Sequence, residues 1–192
     1  MQNNRIIEKE KVAIYASVLY DGVCASTDIE DAVDARNQFF EIREMAIGNL
    51  DLTKILSDPS YPADMRELAA KNIFANFNPC LVEMMSVLAF RNDVDKINQI
   101  FESFESLLKS KLNLCVADVS STVPLDEELR DIITKKIESE LKYVVRLNEK
   151  INPSLLGGIV ISVDGRRLDA SAFSQLEKAR EVLKTTINGG ER

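Results

Sequence analysis

The 192-residue chain contains no histidine and no tryptophan. Without an imidazole it lacks the usual proton shuttle, the commonest zinc ligand and both the Ser-His and Cys-His nucleophile pairs. Its three cysteines, Cys24, Cys80 and Cys115, are widely separated and odd in number. That pattern fits neither a disulfide framework nor a C-x-x-C metal or redox pair, so they read as small hydrophobes. Positive charge is also scarce: 24 lysines and arginines face 31 aspartates and glutamates, a net charge of −7. A chain of that sign does not offer the clustered cations that nucleic acid or a bare anionic membrane requires. Long apolar runs are missing as well. The best of them, residues 155–163, is interrupted by Gly157 and Gly158 and falls far short of the ~20 residues of a spanning helix. Residues 1–11 are too polar for a secretion signal, so the expectation is a cytosolic protein, or one held at a membrane only through partners.

What is present is an ordinary globular balance, 45% apolar and 29% charged, enough to bury a core. Residues 4–20 place Ile7, Ile14, Val18 and Leu19 on a helical stripe, and Thr27 with Glu30 forms a capping box before a helix with Val33, Phe40 and Ile47. A short helix ends near Asp58-Pro59. Pro62 then opens one carrying Met65, Leu68, Ala69 and Phe77, and Asn78-Pro79 opens the next, with Leu81, Val82, Met84, Met85, Leu88 and Ala89. The last of the set, from Asp93, spaces Val94, Ile97, Phe101, Phe104 and Leu108 by threes and fours as one apolar seam. The expected architecture is an N-terminal all-α six-helix bundle over residues 1–110.

The pattern changes over residues 111–192, which read as a small α+β domain of order β-α-β-β-α. A strand begins at Leu114, and Asp126 caps a helix with Leu129, Ile132, Ile133, Ile137 and Leu141. Tyr143, Val145 and Leu147 alternate as a strand; Ile159, Ile161 and Val163 form another, running into Asp164-Gly165, a pair suited to a type I′ hairpin turn with return strand 166–168. A final helix from Ser171 carries Phe173, Leu176, Ala179, Leu183 and Ile187.

No motif carries chemistry. Gly157-Gly158 is not followed by the Gly-Lys-Ser/Thr of a phosphate loop, and reads as backbone freedom at a strand entry. Asp28, Asp31 and Asp34 lack the alternation and central glycine of a calcium loop and read as a solvated helix face. Neither cofactor nor metal is expected. The apolar surplus is the informative feature. Ile6, Ile7, Val12, Ile14, Tyr15, Val18 and Leu19 exceed what one core-facing stripe can use, and Met84-Met85, beside Leu81 and Leu88, are soft side chains suited to a partner helix. Candidate partner-binding residues are therefore Tyr15, Ala16, Leu19, Leu81, Met84, Met85 and Leu88, in a groove between the first and fifth helices.

Asn152-Pro153-Ser154-Leu155-Leu156-Gly157-Gly158-Ile159-Val160-Ile161, then Asp164-Gly165 and Leu168-Asp169-Ala170-Ser171, resembles the C-terminal signature of the delta subunits of F-type ATP synthase. The mitochondrial counterpart is the oligomycin-sensitivity-conferring protein. Tyr15-Ala16 with Val18-Leu19 is similar to that family's first-helix element, and Ser121-Thr122-Val123-Pro124-Leu125 to the stretch before its C-terminal helix. The family often has Gly-Arg where Asn92-Asp93 stand, Asp at Asn152, Gly at Ala170 and basic residues near Phe173 to Gln175. The resemblance implies a non-catalytic stator subunit on the cytoplasmic face of the cell membrane. Its helical domain would receive the alpha subunits of the catalytic head and its second domain the b subunit of the peripheral stalk. It also assigns Gly157, Gly158, Asp164, Gly165 and Asp169 to turn geometry. The alternative is a stand-alone helical adaptor or regulatory module.

Overall fold

Helix punctuation in the sequence sets most boundaries of the first part of the molecule. In the computed structural model, which describes residues 2–24, 29–155 and 157–170, α1 (Gln2–Val23), α2 (Ile29–Gly48), α3 (Leu50–Ser57), α4 (Ala63–Ile73), α5 (Pro79–Arg91) and α6 (Ile97–Leu112) follow one another. The Asn49 side chain accepts from the Leu52 N–H at 3.1 Å, and that of Asn78 from the Cys80 N–H at 2.9 Å, with Pro79 in the first turn where no N–H is needed. At the far end of α5, Asn92 adopts a left-handed φ of 60°. The Asp93 N–H then reaches back to the Leu88 carbonyl at 2.8 Å and the Asn92 N–H to that of Ala89 at 3.3 Å, a Schellman ending. A 3-10 turn, Val94–Lys96, leads into α6. The helical region is thus not six plain helices: this turn adds a helical segment, and a seventh α-helix lies in the second part of the chain.

The chain divides into two compact units, Met1–Asn113 and Leu114–Arg192. In the first, the α6 seam is buried as its spacing predicts, from Val94 through Ile97, Phe101 and Phe104 to Leu108. Phe39 of α2 meets Phe101 and Phe104 edge-on, with centroids 5.2 and 5.9 Å apart. Three other helices turn a different face inward from the one expected. Helix α1 buries Val12, Ala16, Leu19, Tyr20 and Val23, and leaves Ile7, Ile14 and Val18 in solvent. Helix α2 buries Phe39 and Ile42 and exposes Ile47. In α4, Ala70 and the guanidinium-bearing Arg66 go inward while Met65 and Leu68 are exposed. Each of these helices carries more than one apolar stripe, so the neighbours it packs against, not its own pattern, choose between them.

Charge completes the helical packing. Arg36, 2% exposed, bonds Glu105 at 2.6 Å and lies 5.1 and 5.0 Å from the Phe40 and Phe101 ring centres. Arg66 donates to the carbonyls of Ala89, Phe90, Asp58 and Tyr61 at 3.0–3.2 Å, satisfying oxygens that the end of α5 and the α3–α4 connection leave without ladder partners.

Among the described residues the second unit is a four-stranded mixed sheet with one α-helix: β1 (Leu114–Ser121), α7 (Glu127–Leu141), β2 (Val144–Ile151), β3 (Ile159–Val163) and β4 (Arg166–Asp169), in spatial order β2-β1-β3-β4. Strands β1 and β2 pair in parallel, Leu114 opposite Val144 through Ser121 opposite Ile151, and α7 supplies the crossover that such a pair requires. Strand β3 runs antiparallel to both β1 and β4. The described order is therefore β-α-β-β-β, in which β4 is the expected return strand 166–168, left uncounted in the label β-α-β-β-α. The expected helix from Ser171 and the capping residue Thr27 lie outside the described residues, as does Leu156. Alternating residues of three strands, Ala117, Val119, Val145 and Ile161 among them, form one core with Ile133 and Ile137 of α7. Ile132, expected in that core, is exposed. Asp126 caps α7 through the Leu129 N–H at 2.7 Å. Asp164 and Gly165 have φ of 51° and 71°, the two positive values a type I′ turn needs. Gly157 and Gly158 are at 151° and 82°, and Asp169 pairs with Val160 at the start of the hairpin sheet.

Candidate functional site

The structure moves the partner-binding candidates inward. Ala16, Leu19, Leu81, Met85 and Leu88 are buried in the first unit, and so is Met84. None of these six can be an exposed anchor on this surface. They are the small and apolar residues that α1 and α5 use to reach their own core, and burying them is what stabilises the unit. Tyr15 alone stays half-buried.

The seam between α1 and α5 is nevertheless open, through different residues. Lys11, Tyr15, Val18 and Gly22 recur at spacings of four, three and four, one stripe of α1, and Cys80, Met84, Val87 and Arg91 make the matching stripe of α5. The helices are antiparallel along these stripes. At one end a Cβ on Gly22 would stand 3.2 Å from the Cys80 sulfur, so the Cys80 side chain packs into the space that the glycine leaves on α1. At the other, the Tyr15 hydroxyl donates to Asp93 Oδ2 at 2.9 Å and also bonds Arg91. Between these two closures Val18 is 67% and Val87 37% exposed, with Ile14 exposed beside them. The middle of this pair of stripes thus carries exposed apolar side chains between the two contacts. The span from Tyr15 to Gly22 covers about 10 Å at a rise of ~1.5 Å per residue.

The Asp93 closure is strongly polar. The residue is 3% exposed, yet its carboxylate receives Lys11 Nζ at 2.7 Å, Lys96 Nζ at 2.9 Å and the Tyr15 hydroxyl. Burial by itself would raise the Asp93 pKa, but hydrogen bonds from Lys11, Lys96 and Tyr15 outweigh it and hold the carboxyl below its ordinary value. Burial pushes the Tyr15 phenol up, and its bond to Asp93 pushes the same way. Lys96 also reaches Glu8 at 3.2 Å. Val87 was legible as the apolar residue three beyond Met84. Asp93 was not, because its partners Lys11 and Tyr15 lie 82 and 78 residues away.

Among the described residues no group of three or more His, Cys, Asp or Glu is placed to hold a metal ion, and no helix is long and apolar enough to cross a membrane. Cys24 and Cys80 are half-exposed and Cys115 is buried, and none of the three is in a disulfide. The described residues define a two-unit protein, a helical unit with exposed apolar side chains on α1 and α5 followed by a small mixed sheet.

Similarity narrows that class. The ATP synthase delta (OSCP) subunit family profile matches residues 12–183. The ATP synthase subunit delta of Prochlorococcus marinus is 32% identical over 166 residues, 85% of this chain and 91% of that protein. That of Staphylococcus aureus is 30% identical over 172 residues, 88% and 94% of the two chains. A chain in the Toxoplasma gondii mitochondrial ATP synthase hexamer shares the fold, with a TM-score of 0.51 over 90% of this chain and 96% of that one at 13% identity. The chain belongs to the ATP synthase delta (OSCP) subunit family. It is accordingly a structural linking subunit of the peripheral stalk, without catalysis of its own.

Proposed function

We propose that the first unit receives the N-terminal segment of an alpha subunit of the catalytic head, as an amphipathic helix laid in the α1–α5 groove, and that the second unit meets the b subunit of the peripheral stalk. The protein so placed sits at the cytoplasmic face of the membrane through the complex alone. It holds the head against the torque of the rotor, so that ion flow is coupled to ATP synthesis. The observation that carries the assignment is the unfilled seam: Val18 and Val87 stand exposed on facing stripes of helices pinned at both ends. Helix-in-groove recognition needs this arrangement, apolar anchors on a surface formed beforehand, and a preformed groove spares the ordering cost on one side.

The corrected anchors are Ile14, Val18 and Val87, with the Tyr15 ring at one end. The test is calorimetric titration of the full chain with a peptide of the alpha-subunit N-terminus. Val18→Asp should weaken binding by at least about tenfold, since a central anchor is worth ~2 kcal/mol or more. Its urea midpoint should stay near that of the unaltered chain, because Val18 contributes little to the core. Binding that is indifferent to Val18→Asp and Val87→Asp, or that maps to residues 114–192, would falsify this division of labour.

A further inference from the structure

We infer that Asp93 is the positioning residue of the α1–α5 groove: its buried carboxylate sets where Tyr15 stands, and recognition of the incoming helix depends on that placement. The inference rests on the groove reading above. Three features of the fold converge on it. First, the Schellman ending of α5 turns the chain sharply at Asn92, and the next residue is thereby aimed into the protein instead of along the helix. Second, the carboxylate so placed is one of the few buried charges in the first unit, and it is fully engaged, by Lys11 and Tyr15 from α1 and by Lys96 from the turn before α6. Third, Lys11 and Tyr15 belong to the same α1 stripe as Val18 and Gly22, the stripe that lines the groove.

The geometry makes the two ends of the groove unlike. The Gly22–Cys80 end is an apolar contact, the Cys80 side chain seated over Gly22. The Asp93 end is a polar clasp that acts on a side chain an incoming helix would touch: the Tyr15 ring is half-buried, and its hydroxyl is held between Asp93 and Arg91. A phenol tied at its oxygen cannot swing across the seam or out into solvent, so the end wall of the groove is preformed and no rotamer freedom is lost there on binding. Beyond the clasp, residues 6–10 of α1 are all exposed. Past the clasp the described tie of α1 is Glu8 to Lys96 at 3.2 Å, an exposed carboxylate on the same lysine that Asp93 holds. Lys11 and Lys96 are donors only, so the acceptor between them and Tyr15 has to be the Asp93 carboxylate.

Tyr15→Phe and Asp93→Asn, made singly and together in the full chain, test the assignment, with titration by the alpha-subunit N-terminal peptide and urea unfolding run side by side. Tyr15→Phe keeps the ring and removes only the bond, so it remains informative even where Asp93→Asn, which strands two lysines, unfolds the unit. Each change should weaken binding about tenfold, and the double change no more than the greater single one, because both cut the same connection. A purely structural role would lower the urea midpoints and leave the Kd of the folded variants unchanged; that result overturns the inference while the groove stands. Additive losses would overturn it too, by showing that Tyr15 and Asp93 act separately. If the peptide fails to bind the unaltered chain, the groove reading itself fails and this inference goes with it.

Discussion

The two units solve the same problem, satisfying buried backbone and apolar surface, by different means. In the sheet unit the strands pair with one another along three ladders, the central strand β1 is buried at four successive positions from Leu114 to Ala117, and Ser121 is the one buried polar residue among those described. The helical unit instead draws Arg36, Arg66, Asp93 and Ser86 inside. The contrast follows from the elements. A strand's ladder satisfies its groups along its whole length, whereas each helix leaves carbonyls and N–H groups at its ends, and junctions of several helices bring those ends together. Charged side chains with several donors or acceptors finish such junctions, Arg66 at four carbonyls and Asp93 with three donors. Among the described residues the helical unit also keeps more large apolar side chains in water, spread over α1 to α5.

That comparison breaks if the helical unit cannot stand alone. Residues 1–113 should melt cooperatively as a fragment, and Phe104→Ala should lower its stability by about 3–5 kcal/mol, the cost of a cavity at a fully buried aromatic. A fragment with no cooperative transition in circular dichroism would show that the core of the first unit needs the second. Next in size is Arg66→Met. Leaving the Ala89, Phe90, Asp58 and Tyr61 carbonyls without their guanidinium should cost about 3 kcal/mol in urea unfolding. The matching change in the sheet unit, Arg130→Met at its solvent-screened bridge to Glu149, should move the urea midpoint far less than Arg66→Met does. Equal effects would mean that buried charge has no special place in the helical unit.

Smaller effects sharpen the picture at two points. No atom lies within 4 Å of where a Cβ on Gly165 would stand, so Gly165→Ala tests the positive φ of 71° alone. It should cost about 1 kcal/mol. The Asp93 clasp adds a signature in acid. Its folded-state pKa lies below the ordinary carboxylate value of 3.8. The stability it contributes is therefore fully present above that value and lost as pH falls through the lowered one. In urea titrations from pH 5 downward the unaltered chain should lose this increment, while Tyr15→Phe, with a weaker clasp, should lose less.

Sequence pattern was a good guide where only one answer was available. The seam of α6 offers a single apolar stripe, and it is buried throughout; the caps at Asn78, Asn92 and Asp126 and the Asp164-Gly165 turn are set by residue chemistry within a few positions, and each stands where local chemistry puts it. It was a poor guide to α1, α4 and α5 as surfaces. The sequence showed a surplus of apolar residues on α1 and α5, but Leu19, Leu81, Met85 and Leu88 went to the core while Ile14, Val18 and Val87 stayed outside. Periodicity says that a helix has two usable faces and is silent on which one its neighbours will cover.

The amino-acid sequence by itself thus determined the order of elements, the break between a helical and a mixed unit, and the family, because these depend on local propensity and on motifs contiguous in the chain. Only the tertiary structure decided which stripe of α1 faces solvent, that Arg66 serves the carbonyls at the end of α5, and that Asp93 clasps Lys11 and Tyr15. Those outcomes join residues more than 20 positions apart, up to 82. Their energies depend on burial and on partners that exist only once the helices have packed.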